Sequence, residues 1–272
     1  MAVKTLVVPL DGSEFAERAL GVAQTLAERI GAGLLLISAQ YSGHLEPGQY
    51  LEAHATRCDR CPVDVIATDE AGAAEAIGEA IDGDDGRMVC MTTHGRGRLR
   101  WAALGSVAED VIRHAGRPMF LVGRNCRADF LERSSHLVAC TDGGGGSHEL
   151  APAAREWSEL LGLDLHVGVV VHPLDIESAE HADGLLGSIA AQFYGEAVAP
   201  TMITSDYPAG ALADFADELP AAIVAMSCHG RAGLARLALG SMTMGVLHLA
   251  SCPLLVTHRD DEATPEHQTP TH

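Results

Sequence analysis

The sequence predicts an α/β protein made of two similar doubly wound domains, each an open five-stranded parallel sheet with helices on both faces. Three observations carry that expectation. Short apolar runs alternate with stretches that are apolar at helical spacing, the pattern of strands buried between crossover helices. The whole alternation occurs twice. And 47% of the 272 residues are hydrophobic but only 4% aromatic, so there is material for packed cores, built of Ala, Val, Leu and Ile.

The first copy reads element by element. Val3 to Pro9 is a short apolar run suited to a buried strand. Ser13 can cap the next helix, whose Ala16, Ala19, Leu20, Ala23 and Leu26 fall on one face, and Gly31 stops it where glycine is favoured after a helix. Leu34 to Ala39 is a strand, 47 to 60 a weak helix and Val63 to Thr68 a strand. Ala71 to Ile81 is a helix, Arg87 to Thr92 a strand, Ser106 to Ala115 a helix and Pro118 to Val122 the last strand. Right-handed crossovers turn five strands and four helices into a sheet covered on both faces.

The duplication is read from fixed offsets. Met91-Thr92-Thr93-His94-Gly95-Arg96 recurs as Met226-Ser227-Cys228-His229-Gly230-Arg231, and Leu104-Gly105-Ser106 recurs as Leu239-Gly240-Ser241, both 135 residues on. Val111 and Pro118 keep that offset to Val246 and Pro253. Near the start of each half the offset is 131, matching Asp11-Gly12 to Asp142-Gly143 and Gly31 to Gly162. The expected layout is domain 1 over 1–123, a charged linker over 124–135, domain 2 over 136–258 and a disordered polar tail over 259–272.

The formal net charge of −19 argues against sequence-independent nucleic-acid binding, which needs a basic face, and against an anionic membrane surface. No run approaches the roughly 18 apolar residues of a membrane span. The N-terminus shows no signal-peptide pattern, and seven scattered cysteines suit reduced thiols, so a cytoplasmic protein is expected. A phosphate ligand stays open, because backbone amides at a helix start can hold one locally.

In doubly wound sheets ligands bind beyond the carboxyl ends of the strands, at the switch point. Two segments arrive there in each half: Asp11-Gly12-Ser13, or Asp142-Gly143-Gly144, and the Gly loop with the helix start at Gly105-Ser106, or Gly240-Ser241. Glycine allows close backbone approach, the helix start offers free amides, and Asp11 can accept from a base or ribose hydroxyl. Singly, each is what an ordinary turn or helix cap looks like. Both together, in order and twice, point to a site.

These residues also resemble the universal stress protein family in its tandem form. The likeness rests on Val-Val-Pro-Leu-Asp-Gly-Ser (7–13), Thr-His-Gly-Arg (93–96), Leu-Gly-Ser-Val (104–107) and Arg-Pro-Met-Phe-Leu-Val (117–122), with their second-half partners. The resemblance implies sheet order 3-2-1-4-5 and an ATP site whose pattern is Gly, two residues, Gly, nine residues, then Gly and Ser or Thr. Gly95 to Gly105-Ser106 and Gly230 to Gly240-Ser241 fit its latter part, while Thr92 and Ser227 stand where the leading Gly would be. By resemblance, Asp11 and the backbone near Ala39 face adenine or ribose, and Gly95, Gly105, Ser106 and Val107 hold phosphates. The second-half matches are Asp142, Val170, Gly230, Gly240, Ser241 and Met242. Arg96 and Arg98 could add positive charge, or be solvated loop arginines. The last strand of each half, by the same resemblance, is a candidate edge for pairing the halves as a pseudo-dimer or two chains as a homodimer.

Other constellations are set aside. Cys58-Asp59-Arg60-Cys61 suits redox chemistry or half a zinc site, but it has no second pair at finger spacing and no counterpart in the second half. Cys90, Cys140 and Cys252 read as small core residues. The 14 histidines show no metalloprotease spacing, and there is no nucleophile elbow and no Gly-Lys-Ser phosphate loop. With no evident base or metal-holding carboxylate set, a non-enzymatic sensor that binds ATP, with or without Mg2+, is expected, any hydrolysis being slow. The alternative is an interaction module that binds no nucleotide.

Overall fold

The structure is a computed structural model. It describes residues 3–38, 46–68, 72–93, 104–114, 116–132, 134–141, 147–175, 179–193, 198, 200–227 and 239–257. The first half runs β1 (Thr5–Pro9), α1 (Glu14–Ile30), β2 (Gly33–Ser38), α2 (Pro47–Ala55), β3 (Val63–Ala67), α3 (Ala73–Asp82), β4 (Arg87–Thr92), α4 (Ser106–His114) and β5 (Met119–Val122). The second runs β6 (His136–Thr141), α5 (Ser147–Leu161), β7 (Asp164–Val171), α6 (Ala179–Gln192), β8 (Pro200–Thr204), α7 (Pro208–Glu218), β9 (Ala221–Ser227), α8 (Ser241–Leu249) and β10 (Leu254–Thr257).

The first helix shows how locally the sequence acts. Ser13 sits in extended backbone and its Oγ accepts from the Ala16 N–H at 3.2 Å. Gly31 ends the helix at φ +70, a left-handed position that glycine alone adopts without penalty, and the Ala32 N–H then closes on the Ala27 carbonyl. Gly162 does the same after α5, at φ +65 and with the Leu163 N–H on the Ser158 carbonyl. The 131-residue offset is therefore one helix stop used twice.

The strands form one ten-stranded sheet in the order β3-β2-β1-β4-β5-β10-β9-β6-β7-β8. Each half has the order 3-2-1-4-5 counted from its own edge, as expected. All pairings within a half are parallel, and the central strands are almost wholly buried on both faces.

The halves meet through β5 and β10, which pair antiparallel with Leu255 opposite Phe120. These strands thus spend their edges on each other, and the free edges of the sheet are β3 and β8. Phe120, fully buried on β5, meets Trp157 of α5 edge-on at 4.6 Å. Arg29, in the last turn of α1, donates to the Leu161 carbonyl at the end of α5, where a cation complements the helix dipole. The linker is charged in composition but packed in fact. Cys126 and Phe130 are buried, Arg18 donates to the carbonyls of Arg124 and Cys126, and Asn125 donates to the His248 carbonyl at the end of α8.

Two imidazoles meet where β6 and β7 begin. His136 and His166 are edge-on at 4.7 Å, with Asp164 4.0 Å from His136 Nδ1. Burial, and then the neighbouring His136, pull His166 below the ordinary histidine value, while Asp164 pulls the other way. A base depressed in the folded state contributes stability that is fully present above its unfolded value and is lost as pH falls through its lower, folded-state value. The native protein is therefore expected to lose denaturant resistance as pH falls below about 6.5 and on through the lowered His166 value, and His166→Asn to lose less. Equal losses in urea midpoints would remove the role of this pair.

Candidate functional site

The chain order 3-2-1-4-5 puts a switch point between β1 and β4, where one crossover leaves to each side. The registers Pro9 to Ile37 and Val7 to Val89 bring the carboxyl ends of β1, β2 and β4 to one rim of the sheet. Asp11 stands on that rim. Its Oδ1 accepts from the Ser13 N–H at 3.0 Å and the Ser13 hydroxyl at 2.6 Å, and Gly12 makes the turn at φ +82. The same carboxylate thus sets the cap of α1 and fixes the loop.

Gly105 and Ser106 arrive on the same rim from the other side. The Gly105 N–H donates to the Thr93 carbonyl at 2.9 Å, and the Gly105 carbonyl accepts from Glu109 as the first turn of α4. Ser106 is exposed, and Val107 is half-buried against the core. The helix start is therefore tied back to the end of β4, beside β1.

The second half repeats the arrangement with differences. Gly240 holds the cap position of α8 in extended backbone, with no side chain to satisfy the first-turn N–H groups. Ser241 is exposed and Met242 half-buried. Thr243 folds back, its hydroxyl donating to the Ser227 carbonyl at the end of β9. Val170 lies within β7, opposite Ile203, because β7 spans 8 residues where β2 spans 6. Ala39 by contrast follows the last residue of β2.

Of the expected site residues the structure brings Asp11, Gly105, Ser106 and Val107 to one rim, and Val170, Gly240, Ser241 and Met242 to its equivalent. Ala39, Gly95, Arg96, Arg98, Asp142 and Gly230 lie outside the described residues, as does the expected tail from 259 on. Thr92 and Ser227 are the terminal residues of β4 and β9, and Thr92 is buried. The spacing missed Ser38, the last residue of β2, whose buried hydroxyl has no partner among the described residues. A buried hydroxyl left so costs about 1–3 kcal/mol. Its only signal in the sequence is its place one residue before Ala39. Among the described residues no group of three His, Cys, Asp or Glu could hold a metal ion, and no helix is long and apolar enough to cross a membrane.

With that geometry in place, comparison with known proteins decides the family. The model of the universal stress protein family matches residues 60–123 and 135–258, well over half of the chain. The chain belongs to the universal stress protein family. Both matched stretches contain the Gly-Ser helix start, while Asp11 precedes the first of them. A universal stress protein of Mycobacterium tuberculosis is 27% identical over 196 residues, which cover 65% of this chain and 63% of that one. The chain thus spans under two thirds of that relative's length. A universal stress protein of Thermus aquaticus is 31% identical over 134 residues, 44% of this chain and 98% of its own. Among solved structures, a protein of unknown function from Pseudomonas aeruginosa superposes with TM-score 0.70 at 18% identity, covering 96% of this chain and 94% of that one. A universal stress protein from Archaeoglobus fulgidus gives 0.66 at 17%, over 96% and 100%. These two share the fold of this universal stress protein over almost its whole length.

Proposed function

We propose that this tandem universal stress protein binds ATP or a related adenine nucleotide, with or without Mg2+, at the rim of each half, and serves as a cytoplasmic stress-response sensor or regulator rather than an enzyme. One observation supports this most: a helix start with a glycine at its threshold stands beside the end of the neighbouring central strand, in both halves. Amides at such a start favour an anion, through unsatisfied N–H groups and the helix dipole. The residues present suit the ligand. Gly240 leaves the first turn of α8 without a side-chain cap, and Asp11 offers a carboxylate to a ribose or base. A chain with net charge −19 cannot draw a polyanion by its overall field, so recognition falls to those local groups. The two halves act as a pseudo-dimer through β5 and β10. A homodimer would need a surface other than that seam.

Millimolar ATP with Mg2+ should raise the melting temperature of the native protein. Ligand at 100 times its dissociation constant adds about 2.7 kcal/mol. Asp11→Ala should lower the starting stability by about 1 kcal/mol, since the Ser13 cap loses its anchor, and should shrink the nucleotide shift. An identical melting temperature with and without ATP would overturn the proposal. The second reading, an interaction module without nucleotide, is favoured by the buried Thr92 side chain at the end of β4, where the binding pattern has glycine.

A further inference from the structure

The surroundings of the Cys-x-x-Cys segment give it a role. Cys58 and Cys61 lie in the connection from α2 to β3, the edge strand of the ten-stranded sheet. Cys58 is buried, its thiol donating to the His54 carbonyl of α2 at 3.4 Å. Cys61 is partly open to solvent, and both are free thiols. They stand three residues apart in that connection, and burial is the main cause that raises both thiols, with Cys58 adding to the rise at Cys61 and Glu28 of α1 adding to both. Glu28 itself holds Arg60 at 3.2 Å. Elsewhere Cys90, Cys126, Cys140 and Cys252 are buried, and burial drives the Cys126 thiol up to about 12. No third metal-ligating group joins the pair among the described residues, which disfavours a metal.

We propose that Cys58 and Cys61 are a reversible dithiol–disulfide couple, with a low-molecular-weight disulfide such as glutathione disulfide as oxidant. The accessible Cys61, as thiolate, attacks one sulfur of glutathione disulfide and expels one glutathione thiolate. The resulting mixed disulfide is attacked at the Cys61 sulfur by Cys58, which gives up its proton and expels the second glutathione. Two protein thiols are oxidised to one disulfide and one glutathione disulfide is reduced to two thiols. Closure removes the Cys58 bond to His54, in the last turn of the helix whose Tyr50 and His54 both hold Glu17 of α1. Because both thiols are raised, exchange should be slow at neutral pH and quicken steadily as pH rises toward the thiol range.

The test incubates the full chain with glutathione disulfide, quenches with acid, alkylates and maps the peptides by mass. The couple predicts loss of both alkylatable thiols at 58 and 61, in one peptide lighter by two hydrogens and restored by excess glutathione. Cys58→Ser should trap a glutathione adduct on Cys61. Cys61→Ser, at the more exposed position, should leave Cys58 unmodified, which keeps the test intact if the buried substitution disturbs folding. Full alkylation of both cysteines after oxidation, a native chain that stops at the Cys61 adduct, or a rate that does not rise with pH would each overturn the couple.

Discussion

Replacing Gly123 by alanine should weaken the seam between the halves. Gly123 follows the last residue of β5, and a Cβ there would run into the Leu247 carbonyl oxygen of α8. That oxygen is backbone in a helix whose Leu247 is fully buried, so it cannot swing aside as a side-chain tip would. Overpacking costs about 1–3 kcal/mol, and a backbone collision belongs at the upper end. For a chain of this size that is a fall in melting temperature of about 6–12 °C. Gly21→Ala is the control. Gly21 lies in α1, with nothing within 4 Å of an added Cβ. Alanine there should be neutral or stabilising by up to about 1 kcal/mol. Equal melting temperatures for Gly123→Ala and the native protein would show that the seam can give way.

Phe120→Ala should cost more, because it empties the middle of the same seam. Phe120 is fully buried, opposite Leu255 of β10 and edge-on to Trp157. Truncating a buried phenylalanine costs about 3–5 kcal/mol, with the aromatic pair included at about 0.5–1.5. Urea unfolding followed by tryptophan fluorescence reads both the lost stability and the changed surroundings of Trp157. The loss should be shared by the two halves, since β5 and β10 complete one sheet. A variant in which one half melts early and the other keeps its native midpoint would contradict a single cooperative sheet.

What the sequence made legible was local or repeated. Ser13 and Gly31 mark the ends of α1 because a cap and a left-handed stop act within a few residues. Gly162 repeats the stop at a fixed offset, so the duplicated order followed. The elements of the first half lie close to where the periodicity put them, although the weak helix read to 60 ends at Ala55, so the two cysteines follow it in the connection to β3. What stayed hidden depends on contacts between distant residues. The approach of Gly123 to Leu247, the Phe120–Trp157 contact and the packing of the linker against Arg18 and, through Asn125, against the end of α8 leave no periodic mark. The resemblance pointed to the last strand of each half as an edge, and the structure pairs those edges inside one chain. For the candidate site, the placement of Asp11 and the two Gly-Ser helix starts on the rim was legible because turn and helix-start chemistry is local. Ser38 was not, because burial without a partner is a property of the packed sheet.

The central claim is that adenine nucleotide binds at the rim where Asp11 meets the start of α4, and again in the second half. Equilibrium dialysis of the native protein against labelled ATP with Mg2+ tests it most directly, beside Asp11→Ala combined with Ser106→Ala. Saturable binding is expected, with the first-half site weakened at least about tenfold in the double variant, equivalent to roughly 1.4 kcal/mol. No retained nucleotide at millimolar ATP, or affinity unchanged in the double variant, would contradict the account.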